Sequence, residues 1–194
     1  MGMKILKNAL VIGTMVALYS FDIPKGWIKA GSDPDKYEMG IDKGTGQDGK
    51  NAATIQSKEQ KIKNGFGTLM QNCSPEKYLG KRVRMTGYIK SKDVTESSGF
   101  WFRVDSKNSK EPTAFDNMNS RPVKGTTDWK KYEIVLDVAE DASNIAYGAL
   151  VIGTGQIWFD NITFEIVDHS VPTTNMYGDK KQTPSSPVNL NFED

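Results

Sequence analysis

The residues best suited to binding chemistry lie in two blocks in the second half of the chain. Trp101, Arg103 and Asp105 are spaced two apart, so a β-strand would present all three on one face. The second block, FDNMNSR, is dense in hydrogen-bonding groups, and its candidate side chains are Asp116, Asn117 and Arg121. Sugar sites combine aromatic rings, which stack on the apolar faces of pyranoses, with planar polar groups that bind the hydroxyls. The two blocks therefore predict a groove for a carbohydrate or another small polar ligand.

Two more aromatic residues are candidates for the same ligand. Trp27 and Tyr37 lie in a turn-rich stretch near the start of the chain, and we expect both to be exposed, together with Trp101. Each candidate also has a structural alternative. Arg103 and Asp116 would then form an ion pair that supports the fold.

Catalytic chemistry has less support in this sequence. A nucleophilic triad needs a base, and the single histidine, His169, follows the last predicted strand. The single cysteine, Cys73, excludes an internal disulfide and a multi-cysteine zinc site. A carboxylate pair that hydrolyses or cleaves polysaccharide remains an alternative, because only tertiary structure brings such a pair together. The net charge of +1 gives no electrostatic case for nucleic acid or an anionic membrane.

The elements that must position these residues are short β-strands. Tyr132–Val138 alternates apolar and polar residues, and Gln156–Ile166 repeats the pattern with a slip at Asp160-Asn161 that predicts a bulge. Ile145–Ile152 is a nearly continuous apolar run, which predicts a strand buried on both faces. Further strands are predicted over Lys50–Ser57, Phe66–Cys73, Lys81–Lys90 and Phe100–Asp105. With one helical turn at Pro75–Leu79, this spacing predicts an all-β sandwich or barrel, whose core would include Trp129 and Trp158.

The first part of the chain has a different composition from the rest. Lys4 and Lys7 precede the apolar run Ala9–Tyr19, which is the pattern of a secretory signal and is short for a membrane span. We therefore expect residues 1–21 to be a signal-like or anchor segment and the protein to be secreted or held at the cell surface. The alternative is that Leu10–Phe21 forms the first strand of a cytoplasmic domain.

The remaining chain is predicted to form one domain, a linker and a final strand. The domain covers residues 22–170. Residues 171–187 carry proline, threonine, serine and lysine with little to bury, which is typical of a linker. Residues 188–194 alternate apolar and polar side chains and are predicted to form a short strand.

Several of these blocks resemble jelly-roll domains. DWKKYEIVLDV at 128–138 and GQIWFDNITFEIV at 155–167 are similar to the closing strands of jelly rolls of the galactose-binding, carbohydrate-binding-module type. The blocks GWIKAGSDPDKYEMGID, YLGKRVRMTGYIK and PVNLNFED more closely resemble a jelly-roll domain attached to some bacterial AraC-type transcription regulators. The likeness runs from about Gly26 to Asp194, but the sequence contains no helix-turn-helix segment, so DNA binding is not carried over.

The resemblance implies a two-sheet antiparallel jelly-roll sandwich with one short helical turn. It implies a non-catalytic module that binds a ligand, and carbohydrate is the ligand that we expect first. The regulator likeness implies an alternative, a sensory or protein-interaction domain that acts with a separate chain.

The resemblance also bears on the end of the chain. In related jelly rolls a segment like NLNFED opens the domain, before a pair like Gly26-Trp27. We expect Val188–Glu193 to return and pair near Trp27 as an edge strand, with domain swapping onto a neighbour as the alternative. Glu193 would then approach Asp160, where such jelly rolls hold a structural calcium with acidic and carbonyl oxygens. The alternative is that no metal binds, and no other cofactor is expected.

Overall fold

The computed structural model describes residues 21–178, and within that range nearly all regular structure is β-strand. Two 3-10 turns, Pro34–Lys36 and Glu76–Tyr78, are the helical elements of this range. The strands are β1 (Ile28–Gly31), β2 (Tyr37–Asp42), β3 (Ala52–Ser57), β4 (Phe66–Cys73), β5 (Lys81–Ser106), β6 (Ala114–Asp116), β7 (Val123–Val138), β8 (Ala142–Ile152) and β9 (Gln156–Val167). Residues 1–20 of the signal-like segment, residues 179–187 of the predicted linker, and the final strand with Glu193 lie outside the described residues.

The strand β5 runs through both layers of the fold. Residues 82–92 pair with β9 on one side and residues 81–98 pair with β7 on the other, with register shifts after Ile89. Residues 97–106 pair with β8 and, in part, with β6. We call the first layer sheet I, in the order β7-β5-β9-β3-β2, and the second layer sheet II, in the order β6-β5-β8-β4-β1. Every pairing is antiparallel, so the predicted all-β, two-sheet antiparallel jelly-roll sandwich is confirmed.

The core lies between the two sheets and is built from alternate residues of the same strands. Met85 and Ile89 enter it from sheet I, and Phe100 and Phe102 enter it from sheet II, all at most 1 % exposed. The Phe100 ring packs edge-on against Phe159, with ring centroids 6.1 Å apart. Burial of each such side chain contributes about 1.5–3 kcal/mol, so the period-two pattern of β5 accounts for much of the packing.

The strands predicted from apolar patterning are present. Lys81–Lys90 and Phe100–Asp105 prove to be two parts of the single strand β5. Residues 145–152 are buried on both faces of β8 except for Tyr147 and Ile152, which are half-buried. The predicted bulge is also confirmed, because Asn161 has a φ of 54° and the β5–β9 register shifts beside it. Ser74 Oγ accepts a hydrogen bond from the Glu76 amide, where the helical turn was expected.

The stretch near the start of the chain differs from its prediction. It was expected to be rich in turns, but it contains β1 and β2, and in β2 the residues Tyr37 and Met39 are 1 % and 0 % exposed. The expected exposure of Tyr37 is therefore wrong. Its hydroxyl lies 3.0 Å from the Gly65 carbonyl and 2.8 Å from the Gly153 carbonyl, so its one proton is shared between these two acceptors. Burial raises the pKa of Tyr37 to about 12, so the hydroxyl remains a donor at neutral pH.

The helices offer no route across a membrane in the part of the chain that the structure describes. No helix there has the length and apolar character that a membrane span requires.

The buried hydroxyl of Tyr37 gives a test of this packing. Tyr37→Phe removes the hydroxyl donor of the Gly153 carbonyl, whereas the Gly65 carbonyl keeps the Gly153 amide as a donor. We expect the free energy of unfolding to fall by about 1–3 kcal/mol. The measurement is the urea midpoint at neutral pH, with Tyr177→Phe as the control, because Tyr177 is 53 % exposed. Equal midpoints for Tyr37→Phe and the unmodified chain would contradict the assignment.

Candidate ligand-binding groove

The outer face of sheet II carries a groove of about 350 Å³. Its walls come from β1, β4, β5 and β8 and from the segment at β6. The lining is mostly apolar, and the lining residues used below are Phe66, Met70, Trp101, Arg103, Phe115 and Asn117. Three of these, Trp101, Arg103 and Asn117, are residues that the sequence singled out, so the structure brings part of the predicted set together.

Trp101 is the floor of the groove. Its indole Nε1 donates a hydrogen bond to Thr68 Oγ1 at 2.8 Å. Because Thr68 lies on β4 and β8 separates β4 from β5, the ring spans β8. Trp101 is 7 % exposed and packs in a second apolar cluster with Ala146 and Leu150. The expectation that Trp101 is freely exposed is therefore wrong, since most of the ring is covered by its neighbours.

Arg103 supplies the charge at the edge of this floor, and Asp105 compensates it. The Arg103 Nε lies 3.0 Å from Asp105 Oδ1, without the alignment of a hydrogen bond, and Nη2 donates to Oδ2 at 3.1 Å. The side-chain amide of Asn144 donates to the same Oδ2 at 3.0 Å. The two charged residues face the same side of β5, as their spacing predicted. The alternative ion pair between Arg103 and Asp116 is wrong.

Asp116 and Arg121 form a separate ion pair beside the groove. Asp116 is 1 % exposed, and Arg121 Nη2 donates to its Oδ2 at 2.6 Å. The Asp116 Oδ1 accepts from the Met118 amide at 2.7 Å, and Met118 has a φ of 59°. Neither Asp116 nor Arg121 lines the groove. The pair instead fixes the tight turn that presents Asn117 to it, so these two predicted site residues have a supporting position.

Phe115 forms a wall of the groove, although it was not among the predicted site residues. It lies opposite Arg103 in the β5–β6 register. Its carbonyl accepts from the Met176 amide at 2.8 Å, and its amide donates to Asn175 Oδ1 at 3.1 Å. The ring of Tyr177 lies 6.4 Å from the Phe115 ring. The first residues of the predicted linker therefore lie against β6 and support this wall.

The apolar lining residues of β4 and β8 were also missed. Phe66, Met70 and Leu150 lie on the outer face of sheet II, away from the core between the sheets. The continuous apolar run of β8 could have predicted them, because a strand that is buried on both faces needs apolar neighbours on its outer face as well.

The other predicted site residues lie elsewhere. Trp27 is half-buried against Tyr147 and Phe159, with centroid distances of 5.7 and 5.9 Å, so it belongs to the packing between the sheets. Trp158, expected in the core, is half-buried on the outer face of sheet I, where its Nε1 donates to Asp42 Oδ2 at 2.7 Å. Trp129 is half-buried as well.

The predicted metal site is not tested by the described residues. Asp160 Oδ2 accepts from the Gln47 amide at 3.2 Å, and Oδ1 accepts from the Asn161 amide at 2.7 Å. Within residues 21–178 no three histidine, cysteine or acidic side chains are grouped as a metal site would require. Calcium held by Asp160 and Glu193 stays a prediction, because Glu193 lies outside that range.

A comparison with known sequences relates the chain to one curated protein. Over 170 residues it is 42 % identical to the uncharacterized HTH-type transcriptional regulator YbfP of Bacillus subtilis (strain 168). The alignment covers 88 % of this chain and 57 % of the relative, so the chain spans little more than half the length of that protein. No protein-family model matches the chain.

A comparison with solved structures identifies the fold. The CBM22-1 xylan-binding domain of Paenibacillus barcinonensis Xyn10C has a TM-score of 0.54 at 13 % identity, over 75 % of this chain and 88 % of that domain. The CBM22-1–GH10 modules of Clostridium thermocellum Xyn10B, solved with xylohexaose, also have a TM-score of 0.54, at 15 % identity, over 74 % of this chain and 26 % of that one. The chain therefore has the jelly-roll fold found in carbohydrate-binding modules.

The ion pair beside Asn117 generates a prediction about stability. Asp116→Asn leaves the Arg121 guanidinium without its charged partner, and we expect a loss of about 2–3 kcal/mol in the free energy of unfolding. The loss is below that of a fully buried pair because the Arg121 side chain is 35 % exposed.

The matched control is Glu165→Gln, which makes the same carboxylate-to-amide change beside Arg84 on sheet I. The Glu165 side chain is 56 % exposed, so its loss should stay below about 1 kcal/mol. Denaturant unfolding compares the two variants, and an equal cost for both would show that Asp116 does not hold the turn.

Proposed function

We propose that this chain is a non-catalytic binding module that takes up a carbohydrate in the groove on sheet II. The observation that carries the proposal is the composition of the groove, with an apolar floor and wall beside two polar side chains at its edge. Binding sites for small molecules are typically apolar concavities with a few fixed polar groups. The jelly-roll fold, shared with xylan-binding modules, adds support from its architecture.

The groove suits the two kinds of surface that a sugar ring presents. Phe115 is half-buried and Met70 is half-buried, so both offer apolar area to the C–H face of a ring. Arg103 and Asn117 offer donors and acceptors for ring hydroxyls. The fixed turn at Asn117 and the paired Arg103 lower the cost of ordering these side chains when a ligand binds.

None of the described residues that line the groove is a carboxylate, and this favours binding over hydrolysis. Glycosidases place two carboxyl groups on either side of the scissile bond. Here Asp105 is engaged by Arg103 and Asn144, and Asp116 is buried under Arg121. A module that holds its ligand without chemistry fits this arrangement, and export by the signal-like first segment fits a polysaccharide outside the cell.

A second candidate function follows from the regulator relative. Its name and its 42 % identity favour a sensory domain, cytoplasmic and coupled to a DNA-binding output, over an exported module. In this case the same groove takes a small sugar as its signal, and the output resides on a partner chain. The AraC-type association expected from the sequence belongs to this candidate.

Binding of a sugar by the full chain is the direct test of the first candidate. We expect at least one of a panel of xylo-, gluco- and galacto-oligosaccharides to bind saturably in isothermal titration. At 100 times its dissociation constant that sugar should add about 2.7 kcal/mol to the free energy of unfolding. Phe115→Ala and Arg103→Ala should each weaken binding by about tenfold or more, because the first removes the apolar wall and the second removes donors at the edge of the floor.

The control variant is Trp158→Ala, which removes a half-buried aromatic ring from the opposite sheet and should leave the affinity unchanged. Absence of saturable binding at millimolar sugar would contradict the proposal, as would equal loss in Trp158→Ala and Phe115→Ala. The matching region of the Bacillus relative distinguishes the second candidate. Uptake of the same sugar by that region supports a sensory role, and selective uptake by this chain alone opposes it.

A further inference from the structure

The geometry points to Asp105 as the residue that sets the selectivity of the groove: by compensating Arg103, it makes the groove select uncharged sugars that present two neighbouring hydroxyls over acidic sugars. This inference rests on the proposed function, because it concerns the ligand class of that same groove. It adds a role for a residue that does not itself line the groove.

Asp105 engages only part of the Arg103 guanidinium. Asp105 faces Nε and Nη2 of Arg103, at 3.0 and 3.1 Å, so it occupies one edge of the planar group. The guanidinium carries five N–H donors, and this arrangement leaves Nη1 and the second proton of Nη2 on another edge. Among the residues that the structure describes, none accepts a hydrogen bond from Nη1. Two parallel donors therefore remain for a ligand at the edge of the groove.

Two parallel donors fit two acceptors side by side. Both a carboxylate and a pair of neighbouring hydroxyls offer that arrangement, so shape alone does not separate an acidic sugar from a neutral one. The charge of the surroundings has to decide between them.

The charge around the groove comes from Arg103 and Asp105. Within residues 21–178, Arg103 is the one charged side chain that lines the groove, and the Asp105 carboxylate compensates its charge at contact distance. The Asn144 side-chain amide donates to the same carboxylate, which holds it in place and turned towards Arg103. A second carboxylate, brought by an acidic sugar to the free edge of Arg103, would lie close to Asp105 in a partly buried setting. Repulsion from Asp105 offsets much of the attraction to Arg103, so the acidic ligand does not recover the cost of desolvating its carboxylate. Neutral hydroxyls pay a much smaller desolvation cost and meet no such repulsion.

The ion pair of Arg103 and Asp105 is partly exposed to solvent. The side chains of Arg103 and Asp105 are 39 % and 27 % exposed, so the pair is neither sealed in the core nor fully surrounded by water. A ligand can reach it, and screening by solvent does not remove the repulsion. The opposite sheet holds an arginine in a different setting, since Arg84 contacts both Glu133 and Glu165 on an open face.

The experiment compares matched ligands on the full chain. The probes are the neutral trisaccharide of galactose and the corresponding trimer of galacturonate, or the glucose and glucuronate pair if glucose is the neutral sugar bound. In the unmodified chain we expect the neutral sugar to bind at least about tenfold more tightly than its acidic counterpart, which corresponds to about 1.4 kcal/mol.

Asp105→Asn frees the charge of Arg103 and should raise the ratio of acidic to neutral affinity by about tenfold. The affinity of this variant for the acidic sugar should then fall with added salt. The control is Glu165→Gln, the same chemical change beside Arg84, which should leave the ratio unchanged. Asp105→Glu keeps the charge and should retain the preference for the neutral sugar.

The outcomes separate the inference from the proposed function. Equal or tighter binding of the acidic sugar by the unmodified chain overturns the inference while leaving a carbohydrate-binding groove in place. An unchanged ratio in a folded Asp105→Asn variant also overturns it. The comparison on the unmodified chain decides the matter if that variant does not fold. Failure of every sugar to bind is the separate result that contradicts the proposed function itself.

Discussion

The continuity of β5 through both sheets is the constraint on which the rest of the structure depends. Its residues 81–92 pair in sheet I and its residues 97–106 pair in sheet II. The same strand therefore contributes alternate residues to the core from both sheets. Phe100 and Phe102 point into the core, and Trp101 and Arg103 between and beyond them point outwards. The packing that stabilises the sandwich therefore also fixes which residues reach the groove, and a shift of one residue would exchange the two sets.

Two ion pairs then position the polar side chains at the groove and beside it. The buried pair of Asp116 and Arg121 holds a turn with Met118 in a left-handed conformation, and Asn117 is presented by that turn. The half-exposed pair of Arg103 and Asp105 holds a guanidinium at the edge of the floor. Both pairs restrict side chains before any ligand arrives, which favours affinity because less conformational freedom is lost on binding.

The outer face of sheet II has an unusual share of apolar residues for a surface. Trp101, Ala146 and Leu150 form a cluster of their own, separate from the main core. A sheet face normally alternates towards polar residues on the solvent side, and an apolar outer face marks an interaction site. The proposed ligand groove rests on this second cluster together with the polar groups at its edge. The outer face of sheet I, with Arg84, Glu133 and Glu165, has the usual polar character.

The local sequence by itself determined the strands of the second half of the chain, the bulge at Asn161 and the shared face of Trp101, Arg103 and Asp105, because period-two patterning is a property of neighbouring residues. Tertiary structure alone decided the rest. Tyr37 is buried because carbonyls of Gly65 and Gly153, far away in sequence, come to its hydroxyl. Arg103 pairs with Asp105 and Asp116 with Arg121, a choice among several charges of similar spacing that only the turn after β6 resolves. Contacts between distant segments depend on how sheets stack, and no periodicity within one strand encodes that.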